Sequence, residues 1–156
     1  NFVVEPKPLG TGGAIINGLQ ETNVHGTFFL TNADTWIDVD FNELVSQPSS
    51  AIGVHEVANV SKFGSVTIDA HNVVTSFTEK NKKEGPGLVY AGIARLETHL
   101  FDSFDLKHQS LETDLYPSLC SCRSLHGVKL KGSIVDIGVP DSLIAFRAKQ
   151  IGAEEC

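Results

Sequence analysis

Methionine is missing from the 156 residues altogether, and the chain has one Trp, two Tyr and three Cys. With not even an initiator Met, further sequence is expected upstream of Asn1. Three cysteines cannot build an even disulfide framework, which points to a reducing compartment and a cytoplasmic location. Long apolar runs are also scarce. Stretches such as Phe28-Phe29-Leu30 fall far short of the roughly 20 residues a membrane-spanning helix needs, so no membrane association is expected. Residues Asn1 to Pro8 have neither the basic nor the apolar region of a secretory leader. Positive charge is in the minority, with 12 Lys and Arg against 19 Asp and Glu, a net charge of -7. That balance excludes a nucleic-acid backbone binder, which needs clustered cations to displace counterions. It leaves small anionic ligands open, because backbone amides, helix N-termini and Mg2+ hold phosphates without global positive charge.

What is present reads as an ordinary globular domain, with 41% hydrophobic and 20% charged residues. A short strand is expected at Phe2 to Glu5, followed by a glycine-rich turn at Leu9 to Gly13 and a helical stretch from Ala14 to Leu19. Thr27 to Thr31 has the β-branched and aromatic character of a central strand, and it delivers Asn32-Ala33-Asp34 at its end. Asp40 suits the start of a short helix through Val45, and Ala51 to Val57 reads as a strand. Period-two alternation on either side of Asp69-Ala70-His71-Asn72 predicts a hairpin of Gly64 to Asp69 with Val73 to Phe77. A strand over Leu88 to Leu96, helices over His99 to Phe104 and Leu111 to Leu119 with Ser110 as N-cap, strands at Val128 to Leu130 and Ile134 to Ile137, and a helix from Pro140 to about Ile151 complete the reading.

Four features carry chemistry, and each also has a plain structural reading. Gly10-Thr11-Gly12-Gly13 lets a backbone approach a ligand closely, yet glycine is equally the default turn residue, and the segment matches neither a dinucleotide fingerprint nor a P-loop. Asp34 and Asp136 follow apolar strands and together would make an oxygen site for Mg2+, although singly each fits a turn or cap. Glu79-Lys80 suits a carboxylate on sugar hydroxyls and an ammonium on a phosphate, or else a solvated loop with Lys82 and Lys83. Cys120, Cys122 and His126 lack the fourth ligand of a structural zinc site, and no nucleophile motif is present.

Taken in order, the motifs Glu5 to Ala14, Asn32-Ala33-Asp34, Phe63-Gly64-Ser65-Val66, Phe77-Thr78-Glu79-Lys80, Tyr90-Ala91-Gly92-Ile93 and Asp136-Ile137-Gly138-Val139-Pro140 resemble sugar-1-phosphate nucleotidyltransferases. The segment Pro8 to Ala14 and Ser110-Leu111-Glu112-Thr113-Asp114 look most like the mannose-1-phosphate and heptose-1-phosphate guanylyltransferases. The resemblance implies an α/β fold: a Rossmann-like nucleotidyltransferase sheet, incomplete at its N-terminal side, with a small antiparallel substrate-side subsheet. Residues 1–156 would form a single partial domain of that kind. It implies that Glu5 and Gly10 face the nucleobase, that Gly12 is a further substrate-binding residue, that Gly64, Glu79, Lys80 and Gly92 contact the sugar phosphate, and that Asp34 and Asp136 hold Mg2+ as metal ligands and catalytic residues. A carboxylate at Glu5 would also suit the N1-H and N2-H2 donors of guanine.

The implied reaction is attack of a sugar-1-phosphate on the α-phosphorus of a nucleoside triphosphate, GTP being favoured, with pyrophosphate leaving. Such catalysis rests on positioning and electrostatics. Departures stand beside the likeness. The Gly-x-Gly-Thr-Arg-Leu loop and downstream Lys-Pro of the family are absent, Ala33 replaces a common Gly, and Tyr90 stands where Asn is common. Two readings follow: a fragment of a complete nucleotidyltransferase, or a truncated non-catalytic relative acting as a binding or assembly module, its open sheet edge covered by a partner or by a second copy in a homo-oligomer.

Overall fold

The structure, a computed structural model, describes residues 2–61, 63–78 and 84–154. Helix α1 (Gly10–Thr22) leads to strands β1 (Thr27–Thr31) and β2 (Thr35–Val39), the short helix α2 (Asn42–Val45) and strand β3 (Ala51–Val57). The hairpin of β4 (Ser65–Ile68) and β5 (Val74–Thr78) precedes the long strand β6 (Gly87–Glu97). A 3-10 turn at Thr98–Phe101, a π-helical turn at Leu111–Leu115 and helix α3 (Tyr116–Ser121) then lead to β7 (His126–Lys129), β8 (Gly132–Asp136) and helix α4 (Pro140–Glu154).

Strand β6 organises the main sheet. It pairs antiparallel with β1, β3 and β4, while β3 and β7 run parallel. Strands β1, β3 and β7 therefore share one direction, as in an α/β sheet, and β2 with β8 forms a separate two-stranded antiparallel sheet. This is the mixed α/β class expected, with the small second sheet.

The two faces of β3 show why the sheet is buried on both sides. Ile52 and Val54 join Ile16 of α1 and Leu111, Leu115, Tyr116 and Leu119 of the following helical segment in one core. Ala51 packs on the opposite face with Leu44, Ala91, Val128 and Leu130. Such period-two division is what alternating side chains of a strand produce.

Local chemistry fixes the turns. Asp69 Oδ1 accepts from the N-H groups of His71 and Val73 at 2.8 and 3.0 Å, and Asn72 takes a left-handed φ of 60°, so the hairpin turns where an Asx residue can satisfy it. Ser110 caps the π-helical turn, its Oγ accepting from the N-H groups of Glu112 and Thr113. Asp114 reaches back to the N-H of Ser110 at 2.7 Å, completing a reciprocal cap. Asp40 accepts from the N-H of Asn42 at 2.9 Å at the start of α2.

Three expectations are corrected, and one strand is added. The segment Phe2 to Glu5 is not a strand: it has no ladder partner among the described residues, and Phe2 is fully exposed. The glycine-rich segment is the first turn of α1 rather than a loop before it, because the carbonyl of Gln109 accepts from the N-H groups of Gly12 and Gly13 at 3.0 and 3.3 Å and holds that turn. Strand β1 is not central; among the described residues it pairs with β6 alone and leaves Phe29 half exposed. Strand β2, which turn chemistry around Asp34 conceals, is added.

Candidate active site

A split in the main sheet builds the cleft. Strand β6 is paired with β4 at Leu88 and Val89, and with β1 from Ile93 to Glu97. Between those registers the N-H of Tyr90 donates to the carbonyl of Gly64 at 3.2 Å, and the N-H of Asn32 donates to the carbonyl of Gly92 at 2.8 Å. Gly92 adopts φ +77°, a region that a Cβ makes costly, and a side chain there would come within 3.1 Å of Thr35 Oγ1. The exchange of partners opens a cavity of about 320 Å3 at the C-terminal end of β1, the position where open α/β sheets collect ligands.

Asp34, Asp136, Gly64 and Gly92 all line this cavity. Asp34 follows β1, and Asp136 ends β8. Pairing of β2 with β8 sets Thr35 opposite Asp136, and the N-H of Ile137 donates to the carbonyl of Asp34 at 2.9 Å. A Cβ built on Gly138 would lie 2.7 Å from Asp34 Oδ2 and 3.1 Å from Asp136 Oδ1. The two carboxylate oxygens can therefore be no farther apart than the sum of those distances. The N-H of Gly138 already donates to Asp136 Oδ1 at 2.9 Å, which orients that carboxylate.

Two converging carboxylates fit a hard cation whose remaining ligands are water and substrate oxygens, the usual arrangement for Mg2+. Among the described residues no group of three or more His, Cys, Asp or Glu side chains is placed to hold a metal ion by itself.

The other expected site residues lie elsewhere. Gly10 and Gly12 do not line the cleft; added Cβ atoms would meet Gln109 O at 2.6 Å and Leu115 Cδ1 at 2.8 Å respectively, so both are packed against the segment that follows the 3-10 turn. Glu5 is also outside the cleft lining, and its Oε1 is buried without a hydrogen-bond partner. Glu79 and Lys80 lie outside the described residues. Cys120 is buried and Cys122 exposed, both as free thiols, while His126 Nδ1 is 3.1 Å from Ser49 Oγ.

Reasoning from sequence missed three contributors. His55 and Val57 share one face of β3 and line the cleft; their spacing of two was the available signal. His55 Nδ1 lies 3.3 Å from the carbonyl of Leu130, a contact in which the ring nitrogen must be the donor. Glu112 also faces the cleft. Its Oε2 accepts from Thr11 Oγ1 at 2.9 Å and from Ser110 Oγ at 3.0 Å, while Thr11 Oγ1 accepts from the N-H of Leu111 at 2.8 Å. The first turn of α1 is thereby fastened to the cleft wall.

No helix among the described residues is long and apolar enough to cross a membrane. The chain is 29% identical over 147 residues to the D-glycero-alpha-D-manno-heptose 1-phosphate guanylyltransferase of Campylobacter jejuni, covering 93% of this chain and 65% of that protein. It is 30% identical over 154 residues to mannose-1-phosphate guanyltransferase 2 of Candida glabrata, covering 92% of this chain and 42% of the relative. Among solved structures, HddC from Yersinia pseudotuberculosis superposes with a TM-score of 0.79 at 30% identity, over 93% of this chain and 64% of HddC. The crystal structure of HddC complexed with GMP-PN gives 0.75 at the same identity, over 91% of this chain and 63% of that one. The chain thus spans between about two fifths and two thirds of the length of these relatives. The family model described as Nucleotidyl transferase matches residues 1–151, and the chain belongs to that family.

Proposed function

We propose that this chain carries the sugar-phosphate and metal side of a nucleotidyl transfer site: in the whole protein, a GMP group passes from GTP to a sugar-1-phosphate, and pyrophosphate is released. The observation that carries this reading is the convergence of Asp34 and Asp136 beside Gly138, both lining a cleft that also contains Gly64 and Gly92. Membership of the nucleotidyl transferase family supports the class of reaction. The similarity to guanylyltransferases and to a protein crystallised with GMP-PN supports GTP. The unpartnered Oε1 of Glu5 is an acceptor suited to guanine N-H donors.

In this proposal Asp34 and Asp136 hold Mg2+, which when bound offsets negative charge on the phosphates. Gly64 and Gly92 leave room for backbone approach to the sugar phosphate. Glu79 and Lys80 are assigned to the sugar hydroxyls and the phosphate. The chain's own contribution is to orient a phosphate oxygen and a metal-bound pair of carboxylates in a partly enclosed cavity.

The test is pyrophosphate release by the whole gene product supplied with Mg2+, each nucleoside triphosphate in turn and a panel of sugar-1-phosphates. Release that requires a sugar phosphate and prefers GTP is the expected result. Inertness with every pairing overturns the reading.

A second reading rests on β1. Its outer edge is free among the described residues and presents Phe29, which suits strand addition by a partner or a second copy in an assembly module. Light scattering that finds only a dispersed monomer counts against it.

A further inference from the structure

His55 stands on β3 directly opposite Val89 of β6, and both line the cleft together with Val57, Phe63 and Gly64. Its Nδ1 donates to the carbonyl of Leu130 at 3.3 Å. In the neutral ring, a proton on Nδ1 leaves a lone pair on Nε2, so that nitrogen accepts a hydrogen bond and cannot donate one. Nε2 has no partner among the described residues, and it is not one of the buried orphan atoms. The side chain is half-buried and lines the cleft, so the free nitrogen is reached from there. Joining β3 to the end of β7 uses the Nδ1 bond alone.

The surroundings select the group that Nε2 would meet. The charged side chains of the described lining are Asp34, Glu112 and Asp136, all acidic. A phosphate entering such a cleft is already opposed by like charge, so a further acceptor is tolerated best when it carries none. The imidazole meets that condition. Val57, Val89 and Phe63 beside it offer apolar surface to the C-H face of a pyranose, and a ring hydroxyl supplies the proton that Nε2 lacks.

The geometry points to His55 as the residue that accepts a hydrogen bond from one ring hydroxyl of the sugar-1-phosphate. The inference rests on the nucleotidyl-transfer reading above and adds a determinant of sugar choice on β3. Leu130 acts through His55, by its backbone carbonyl, and is a positioning residue.

Steady-state pyrophosphate release by the whole protein with Mg2+ and GTP tests it. α-D-Mannose 1-phosphate, α-D-glucose 1-phosphate and D-glycero-α-D-manno-heptose 1-phosphate are compared first, and the best of them is followed by its singly deoxygenated analogues. H55N keeps an amide N-H where Nδ1 lies and deletes Nε2. H55A deletes both and takes its place should H55N fail a thermal melt. The variant is expected to raise KM for the sugar phosphate about five- to tenfold, the worth of one neutral hydrogen bond, with kcat and the KM for GTP within about twofold of wild type. With one deoxy analogue the two proteins should behave alike, because the hydroxyl that His55 holds is missing, while the other analogues keep the gap. A wild-type KM for the sugar phosphate in the variant overturns the assignment alone. So does a gap of equal size with every analogue, which would move His55 to the phosphate. A wild-type protein inert with all three sugar phosphates overturns it together with the nucleotidyl-transfer reading.

Discussion

Thr11 and Glu112 are 101 positions apart in the chain, and a 2.9 Å hydrogen bond from Thr11 Oγ1 to Glu112 Oε2 joins them. The same hydroxyl oxygen accepts the N-H of Leu111 at 2.8 Å. One side chain in the first turn of α1 thus satisfies a backbone donor at the π-helical turn and fixes a cleft carboxylate.

Replacing Thr11 with Val keeps the shape and removes both bonds. T11V is expected to lose about 1–2 kcal/mol of stability, while T11S stays near wild type. Urea denaturation of the three proteins checks this. Equal stability of T11V and wild type would show that the bond contributes nothing.

Neutralising either cleft carboxylate should spare the fold and abolish cation dependence. In D136N the amide oxygen still accepts from the N-H of Gly138, so a melting temperature close to wild type is expected. Mg2+-dependent pyrophosphate release by the whole protein should drop by about 100-fold or more in D34N and in D136N. A variant that keeps full metal-dependent turnover would remove its aspartate from the site.

Gly13 is buried in α1, and a Cβ there would clash with the carbonyl oxygen of Lys107 and fall 2.8 Å from Leu9 Cβ. Helix propensity alone favours Ala over Gly, so the sign of the substitution separates packing from propensity. Packing is expected to win: G13A should destabilise by about 1–3 kcal/mol, as overfilled cores do. G18A, with nothing within 4 Å of its added methyl, should instead be neutral or stabilising. Denaturant midpoints of the two variants decide the matter.

Acid should weaken the clasp between the hairpin and the turn that follows α3. Arg123 Nη2 meets Asp69 Oδ2 at 2.6 Å, and this contact, followed by the N-H of Val73, holds the Asp69 carboxyl below its ordinary value of 3.8. A carboxyl with a lowered folded-state pKa stabilises fully above 3.8, and that contribution fades as pH falls through the folded-state value. Melting curves of wild type and R123A should therefore differ near neutral pH and converge on the acid side of 3.8. A gap that persists in strong acid would assign the difference to packing of the Arg123 stem.

Much of the sheet was legible because its strands carry their own pattern. Thr27 to Thr31 and Ala51 to Val57 form β1 and β3 at the expected bounds, and the hairpin around Asp69 follows from an Asx turn between alternating segments. What sequence could not reveal depends on residues distant in the chain. The turn at Gly10 to Gly13 becomes helical because Gln109 accepts its amides, and nothing within the segment signals that partner. The apolar run at Phe2 to Val4 has strand character but no strand to pair with among the described residues. The meeting of Asp34 with Asp136 likewise depends on β2, whose Thr35 follows directly on a turn and is registered by β8. Glu112 was visible as part of a motif, but its place in the cleft comes from the cap at Ser110 and the bond from Thr11.

The two-stranded sheet also has a kinetic meaning. It closes a long loop with only five paired positions, from Thr35 with Asp136 to Val39 with Gly132, and shares no ladder with the main sheet. Loops of that span cost entropy before their contacts repay it, so this ribbon should zip up late and open early, well before the core around Ile52 and Leu115 comes apart. Amide exchange at β2 and β8 should then outpace that of β3 and β6, and, on the proposed reading of Asp34 and Asp136, Mg2+ affinity should fall on mild heating while the far-ultraviolet spectrum is still that of the native protein.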